Sequence, residues 1–158
     1  MVIMKTTIEE LSVIIDEFTI KIGAIPDDQF SAKPNPTKWS KKEVLGHLID
    51  SAHNNLRRFI CGQYESTPKI TYDQNFWVAA SNYGGWSKEN IIQLWRLVNE
   101  QICEVLRTMP EQNSKLLCNT GKSEIQLHSI EWLAEDYVKH LKHHLNQIIP
   151  ASFPISYP

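Results

Sequence analysis

Residues 40–59 have the sequence S-K-K-E-V-L-G-H-L-I-D-S-A-H-N-N-L-R-R-F, in which a helix start is followed by a helical repeat. Ser40 and Glu43 form the S-x-x-E pattern of a capping box, in which the side chain of each residue accepts from the backbone N–H of the other. The apolar residues that follow recur mostly at steps of three and four: Val44, Leu45, Leu48, Ala52, Leu56 and Phe59. The segment predicts an amphipathic helix, which must bury this face against other elements.

Three further stretches show the same periodicity, at 8–25, 87–109 and 129–149. Thr7 is the predicted cap of the first, and prolines follow all three stretches, as is typical of helix ends. Each of the four helices has a single apolar face, so packing the faces together gives an all-α four-helix bundle. A length of 158 residues fits one domain, which we predict to span 1–158.

The connections between these helices differ in length, and the difference bears on the topology. Asp27–Trp39 is a loop of ordinary size, whereas Tyr64–Trp86, hereafter the crossover, is much longer than the roughly 2–8 residues that join antiparallel neighbours. The crossover favours an up-down-down-up order, with the long connection between the second and third helices. The alternative is up-down-up-down with a functional insertion. In 111–128, an N-T-G-K turn predicts a small hairpin.

Composition excludes several classes of protein. A net charge of -2 argues against a general nucleic-acid or anionic-membrane binder, because both normally carry a basic excess. No apolar run approaches the roughly 18 residues of a membrane span, and charges are spread through 1–25, unlike a signal peptide. Three cysteines without a C-x-x-C pair favour reduced thiols and a cytoplasmic location.

Two histidines of the last helix form a pattern that suits a metal ion. His140 and His144 lie four residues apart, so their imidazoles are neighbours on one helical face and can converge on Zn²⁺ or Ni²⁺. His143 points about 160° away from the apolar stripe and is predicted to be solvated. The pair alone is weak support for a site, because surface histidines often share this spacing.

His47 supplies a third predicted ligand. It lies about 10 Å from the start of its helix, and His140 and His144 lie on average about 11 Å from the end of theirs. The three imidazoles are therefore level if the second and fourth helices are antiparallel, as the up-down-down-up order requires. The alternative for His47 is a hydrogen-bonded residue at the core edge. His53 lies away from His47, and His128, at a helix entrance, is available to help cap it.

The carboxylates near these histidines have two interpretations. Glu43, Asp50 and Asp136 are close enough in sequence to orient an imidazole, but solvated surface charge is the favoured interpretation for each. Asp50 in particular points about 60° outward from His47. The aromatic residues of 72–86 are interpreted as a pocket wall, as hydrophobics that cap the bundle, or as part of a dimer face.

Two segments resemble the DinB-like metalloproteins: W-S-K-K-E-V-L-G-H-L-I-D-S at 39–51 and H-L-K-H-H-L-N-Q-I at 140–148. The resemblance covers essentially the whole chain, and Y-D-Q-N-F-W-V at 72–78 is similar to a subgroup feature without an assigned role. It implies an up-down-down-up four-helix bundle, often dimeric, with a metal held by His47, His140 and His144. Members of the family are similar to S-transferases that use low-molecular-weight thiols and to a maleylpyruvate isomerase.

These inferences combine into a functional hypothesis. Three histidine ligands leave a coordination position open for water or substrate, which is typical of catalytic sites. We expect the metal to be Zn²⁺ or Ni²⁺, with iron and manganese as alternatives. We expect the protein to be a homodimeric thiol S-transferase that takes a low-molecular-weight thiol as co-substrate. The alternatives are a metal-dependent hydrolase and a non-enzymatic, stress-related bundle that acts through a partner. A cavity beside the site favours an enzyme, and a fourth protein ligand favours the non-enzymatic bundle. Ordinary imidazole ligands predict that metal affinity falls as the pH drops through about 6.5.

Overall fold

The computed structural model describes residues 2–158, and its long helices coincide with the predicted ones. The elements are α1 (Val2–Gly23), α2 (Asp27–Ser31), α3 (Lys41–Cys61), α4 (Gln74–Ser81), α5 (Lys88–Thr108), β1 (Leu117–Asn119), β2 (Leu127–Ser129) and α6 (Ile130–Ile148). Short 3₁₀ turns occupy Tyr83–Gly85 and Glu111–Lys115. Among the helices described, none combines the length and apolar character needed to cross a membrane.

Serine side chains cap three of the four long helices, and the predicted capping box is one of these caps. Ser40 Oγ accepts from the Glu43 backbone N–H, and the Ser40 N–H donates to the Glu43 carboxylate, which completes the capping box. Ser87 and Ser129 cap α5 and α6 with their side chains alone, which accept from the backbone N–H groups of Asn90 and Trp132. The prediction that Thr7 caps α1 is wrong. Helix α1 already begins at Val2, and Thr7 is buried within it, because the apolar face extends back to Met4.

Contacts at successive heights show that α3 and α6 run antiparallel. The His47 and His144 rings meet near the start of α3 and the end of α6, with centroids 4.5 Å apart. Further along, Phe59 in the last turn of α3 lies edge-on to Tyr137 near the middle of α6. At the far end, a Cβ placed on Gly62 would lie only 3.1 Å from the Ile130 side chain. The geometric condition for three level histidines is therefore met.

The remaining helix pairs complete the topology. Near the starts of α3 and α5, Lys42 Nζ donates to the Trp86 carbonyl, and beyond their ends Asn113 donates to Gln63, so these helices are parallel. Helix α1 runs antiparallel to α5, because Lys88 at the start of α5 donates to the carbonyl of Ile25, just beyond the end of α1. Helix α1 is parallel to α6, with ring stacking of Phe18 on Phe153 and an ion pair of Glu10 with Lys142. The up-down-down-up order is confirmed.

Two of the connections contain more structure than the sequence predicted. The crossover, for which the sequence predicted no helix, contains α4, whose start is capped by the Asp73 side chain. The loop at 27–39 contains the short helix α2. The predicted hairpin is confirmed as β1 paired antiparallel with β2, with Cys118 opposite His128. The tail from Ser152 has no regular secondary structure and returns along α6.

Candidate metal centre

Helices α3 and α6 bring His47, His140 and His144 together. His47 Nε2 lies 3.2 Å from His140 Nε2, and one nitrogen from each ring falls within a group whose members all lie within 4.8 Å of one another. His47 is fully buried, whereas the other two are half-buried. The group contains three imidazoles and no carboxylate or thiol. The centre is thus shielded on the α3 side and more open on the α6 side.

The spacing of the nitrogens suits a divalent ion. Tetrahedral bonds of about 2.0–2.1 Å place two nitrogen ligands about 3.3 Å apart. The 3.2 Å between the Nε2 atoms of His47 and His140 is close to this value. Three histidines, joined by no fourth protein ligand from the described part of the chain, also match the donor set of catalytic zinc sites rather than closed structural ones. The residues present therefore fit a metal ion.

Two of the rings have a hydrogen-bond partner on the far side, and the partner of His144 favours the tautomer that ligation through Nε2 requires. His144 Nδ1 lies 3.0 Å from Gln147 Oε1, an oxygen that can only accept, so Nδ1 carries the proton and Nε2 keeps its lone pair. His140 Nδ1 lies 3.4 Å from Ser51 Oγ, and the Asn55 side chain donates to the Ser51 carbonyl one turn further along. The Ser51 hydroxyl can donate or accept, so this contact orients the His140 ring and is compatible with either tautomer. His47 Nδ1 is buried without a hydrogen-bond partner among the described residues.

The surroundings keep the three imidazoles neutral. Burial, together with the nearby His144, lowers the pKa of His47 to about 3. Burial and the neighbouring histidines lower the pKa of His140 to about 2, and burial also lowers the pKa of His144. A neutral imidazole is the form that binds a metal, so the folded chain presents this form at neutral pH without any proton loss.

The sequence model of the DinB superfamily matches residues 11–148, which is most of the chain. The chain belongs to the DinB superfamily. A similar solved structure is that of YfiT from Bacillus subtilis, described as a probable metal-dependent hydrolase with an unusual four-helix bundle topology. The identity is 23%, the TM-score is 0.82, and the match covers 92% of this chain and 83% of YfiT. At this identity the likeness establishes the fold. A search of curated proteins found no match.

The other histidines of this DinB-superfamily chain have structural contacts. His143, predicted to be solvated, is half-buried against the ring of Tyr157 in the returning tail, with centroids 5.7 Å apart. His128 stacks on Trp132 at 3.8 Å and leaves the capping of α6 to Ser129. His53 is half-buried and takes no part in the cluster.

The three nearby carboxylates are all engaged, which corrects the prediction that they are solvated. Glu43 belongs to the capping box and pairs with Lys33 at 2.9 Å. Asp136 accepts from the Tyr157 hydroxyl at 3.1 Å through both oxygens. Asp50 is only 1% exposed and accepts from the Tyr83 hydroxyl at 2.5 Å, because the crossover packs over this face of α3. Its second oxygen has no hydrogen-bond partner among the described residues.

Substitution of Asp50 with asparagine is expected to stabilise the protein at neutral pH. Burial raises the pKa of Asp50 from 3.8 to about 6, although the Tyr83 hydrogen bond opposes the shift. The protonated Asp50 carboxyl therefore contributes stability that is fully present below pH 3.8 and is lost as the pH rises through about 6. Asp50→Asn removes the charge and keeps an acceptor for Tyr83. Its free energy of unfolding should exceed that of the wild type by about 2–3 kcal/mol above pH 7.

Urea denaturation of both proteins, at about pH 4 and above pH 7, measures this difference. The two proteins should have nearly equal stability at the lower pH, where Asp50 is protonated. An Asp50→Asn protein that is less stable than the wild type above pH 7 would show that the ionised carboxylate stabilises the fold.

A cavity of about 580 Å³ lies near the histidine cluster and is lined by neighbours of the histidines, not by the histidines themselves. Its lining includes Trp39, Val44 and Gln147, and we call it the Trp39 cavity. The Trp39 ring lies 5.1 Å from the His47 ring, and Gln147 is the hydrogen-bond partner of His144. The crossover contributes two amide side chains of α4, Gln74 and Asn75, rather than the aromatic wall considered from the sequence. The cavity and the cluster are therefore separated by single side chains.

The sequence prediction did not single out the residues around the three histidines. Ser51 lies four residues after His47, and Gln147 lies three after His144, so helical spacing alone could have identified both. Trp39 immediately precedes the cap of α3. Its contact with His47 depends on the path of the preceding loop and had no signal in the helical pattern.

Proposed function

We propose that this chain is a metal-dependent enzyme that acts on small molecules, with a divalent ion held by His47, His140 and His144. The observation that carries the proposal is the convergence of three neutral imidazoles, without a fourth protein ligand, beside the Trp39 cavity. Three nitrogen donors suit Zn²⁺ or Ni²⁺ first, and iron or manganese also. The DinB-superfamily fold and a metal-dependent neighbour support the same conclusion.

The reaction we propose is transfer of a low-molecular-weight thiol to an electrophile. Bound to the three histidines, a divalent ion would act as a Lewis acid that lowers the pKa of a thiol or a water in its open position. The protein contributes the oriented rings of His140 and His144 and the apolar surface of Trp39 beside His47. In the transfer, a sulfur–carbon bond forms, the bond to the leaving group breaks, and the thiol proton passes to solvent.

The state of the carboxylates favours S-transfer over hydrolysis. Hydrolysis by a bound water usually uses a nearby general base. Glu43, Asp50 and Asp136 are held by Lys33, Tyr83 and Tyr157 respectively. A thiol that is ionised by the metal needs no such base, so the site as built suits thiol transfer better.

Hydrolysis is the second candidate, and the description of YfiT as a probable metal-dependent hydrolase supports it. A non-enzymatic, stress-related bundle that acts through a partner is less well supported, because a cavity lies near the cluster and no fourth ligand closes it. We also propose a cytoplasmic homodimer, as the family resemblance and the three unpaired cysteines suggest.

An activity comparison tests the proposal. Zinc- or nickel-loaded protein is assayed with chlorodinitrobenzene and cysteine, and separately with nitrophenyl acetate. We expect the metal-loaded protein to accelerate thioether formation, and the metal-free protein and His140→Ala to lose that acceleration. His143→Ala, which changes a neighbouring histidine outside the cluster, should retain it. Metal-dependent ester cleavage without thioether formation would favour the hydrolase, and no metal-dependent turnover of either probe would contradict the proposed enzyme.

A further inference from the structure

We propose that the Trp39 cavity selects organic anions, so that the small-molecule substrate carries a carboxylate or similar group beside an apolar portion. That the ligand is a substrate rests on the proposed function. The charge preference of the cavity does not depend on any metal. It assigns a chemical class to the ligand.

The charged residues that line the cavity are all positive. They are Lys38 and Lys41, and no aspartate or glutamate shares the lining. Within residues 2–158, neither lysine has an ion-pair or hydrogen-bond partner for its ammonium group, whereas Lys33 pairs with Glu43 and Lys42 donates to backbone carbonyls. The chain as a whole has a net charge of -2, so a cavity with two cations and no anion differs from the average surface.

Neutral groups of the lining complement these charges. Amide side chains of Gln29, Gln74 and Asn75 offer N–H donors to an anionic oxygen. The apolar portion of a ligand would pack on Pro34, Trp39 and Val44. A pocket with an apolar wall and a few convergent polar groups is the usual form of a small-molecule site. Contact between Trp39 and His47 places such a ligand one side chain away from the metal centre.

The test uses phenylacetate and phenylacetamide, which have nearly the same shape and differ in charge. Calorimetry measures their binding to metal-free and zinc-loaded protein at low salt. The variants are Lys38→Gln/Lys41→Gln and a control, Lys122→Gln/Lys139→Gln, which removes two exposed lysines elsewhere. The wild type should bind phenylacetate about tenfold more tightly than phenylacetamide, even without metal, because each of the two lysines adds a modest attraction for the carboxylate. Low salt is used because high salt screens this attraction.

The variants separate the cavity from the metal. Lys38→Gln/Lys41→Gln should lose most of the preference for phenylacetate and keep the affinity for phenylacetamide, and the control should change neither. Equal binding of the two probes by the metal-free wild type, or no binding of phenylacetate, would overturn the inference. So would a preference that needs zinc and survives in Lys38→Gln/Lys41→Gln, although the metal site would then stand. A metal-free preference in a protein that fails to bind zinc would support the cavity and contradict the proposed function.

Discussion

Replacement of His47 with alanine is expected to lower the affinity for zinc by about two orders of magnitude or more. Loss of outer hydrogen-bond partners alone typically costs about 10–100-fold, and loss of a ligand removes a metal–nitrogen bond outright. His47 is fully buried between His140 and His144, so a bulk water does not readily take its place. His144→Ala should show a similar loss. Competition with a chromophoric chelator measures both affinities, and metal analysis gives the stoichiometry.

Two matched histidine variants serve as controls for this loss. His143→Ala changes the neighbour of His144, and His53→Ala changes another half-buried histidine of α3, yet neither residue belongs to the cluster. Both variants should bind zinc as the wild type does. Unchanged affinity in His47→Ala and His144→Ala would rule out the proposed ligands.

The pH dependence of zinc binding gives a second measure of the same site. Burial lowers the pKa of all three histidines, that of His47 to about 3, so protons compete with the metal only at low pH. Affinity should therefore hold as the pH falls through about 6.5, where ordinary histidines lose their metal. The pH range over which zinc affinity is lost should lie below about 6.5. Release of zinc at pH 6.5 would show that the cluster titrates like exposed imidazole.

The sequence predicted those parts of the fold that depend on local pattern. Capping serines and a long apolar repeat identified three helix starts, because both signals lie within a few residues of each other. Helix α4 was missed, since eight residues give barely two turns of periodicity and its cap is a single aspartate. The prediction of a cap at Thr7 was wrong because a threonine before an apolar run is equally compatible with a helix interior.

At the site, the predicted heights of the histidines depended only on helix geometry, and His47 lies level with His140 and His144 because α3 and α6 are antiparallel. The angle that predicted a solvated His143 took no account of the returning tail, where Tyr157 packs on it. Asp50 was misjudged because its angle on α3 says nothing about what covers that face, and Tyr83 reaches it from more than thirty residues away. The Trp39 cavity could not be predicted either, because α2, α4 and the ends of α3 and α6 jointly enclose it.

Substitution of Gly46 with alanine is expected to destabilise the protein by about 2–4 kcal/mol, against the usual preference of helices for alanine by about 1 kcal/mol. Gly46 lies inside α3, where a Cβ would come within 2.1 Å of Cδ2 of the Tyr83 ring. The ring is buried and its hydroxyl donates to Asp50, so it cannot move away without breaking that hydrogen bond. A displaced Tyr83 would leave the Asp50 carboxylate buried and unpaired, which adds its desolvation cost.

Urea denaturation of Gly46→Ala, with Gly23→Ala as the matched control, measures the effect. Gly23 ends α1, and a Cβ there meets nothing within 4 Å, so that variant should be neutral or slightly stabilising. In a Tyr83→Ala background, where the ring is already absent, the further change Gly46→Ala should cost little, because the clash requires the ring. Comparison of the double variant with Tyr83→Ala alone therefore separates the clash from any effect of alanine on the helix itself. A Gly46→Ala protein as stable as the wild type would mean that the crossover yields to the new methyl group, and the Tyr83–Asp50 contact would then not fix its position on α3.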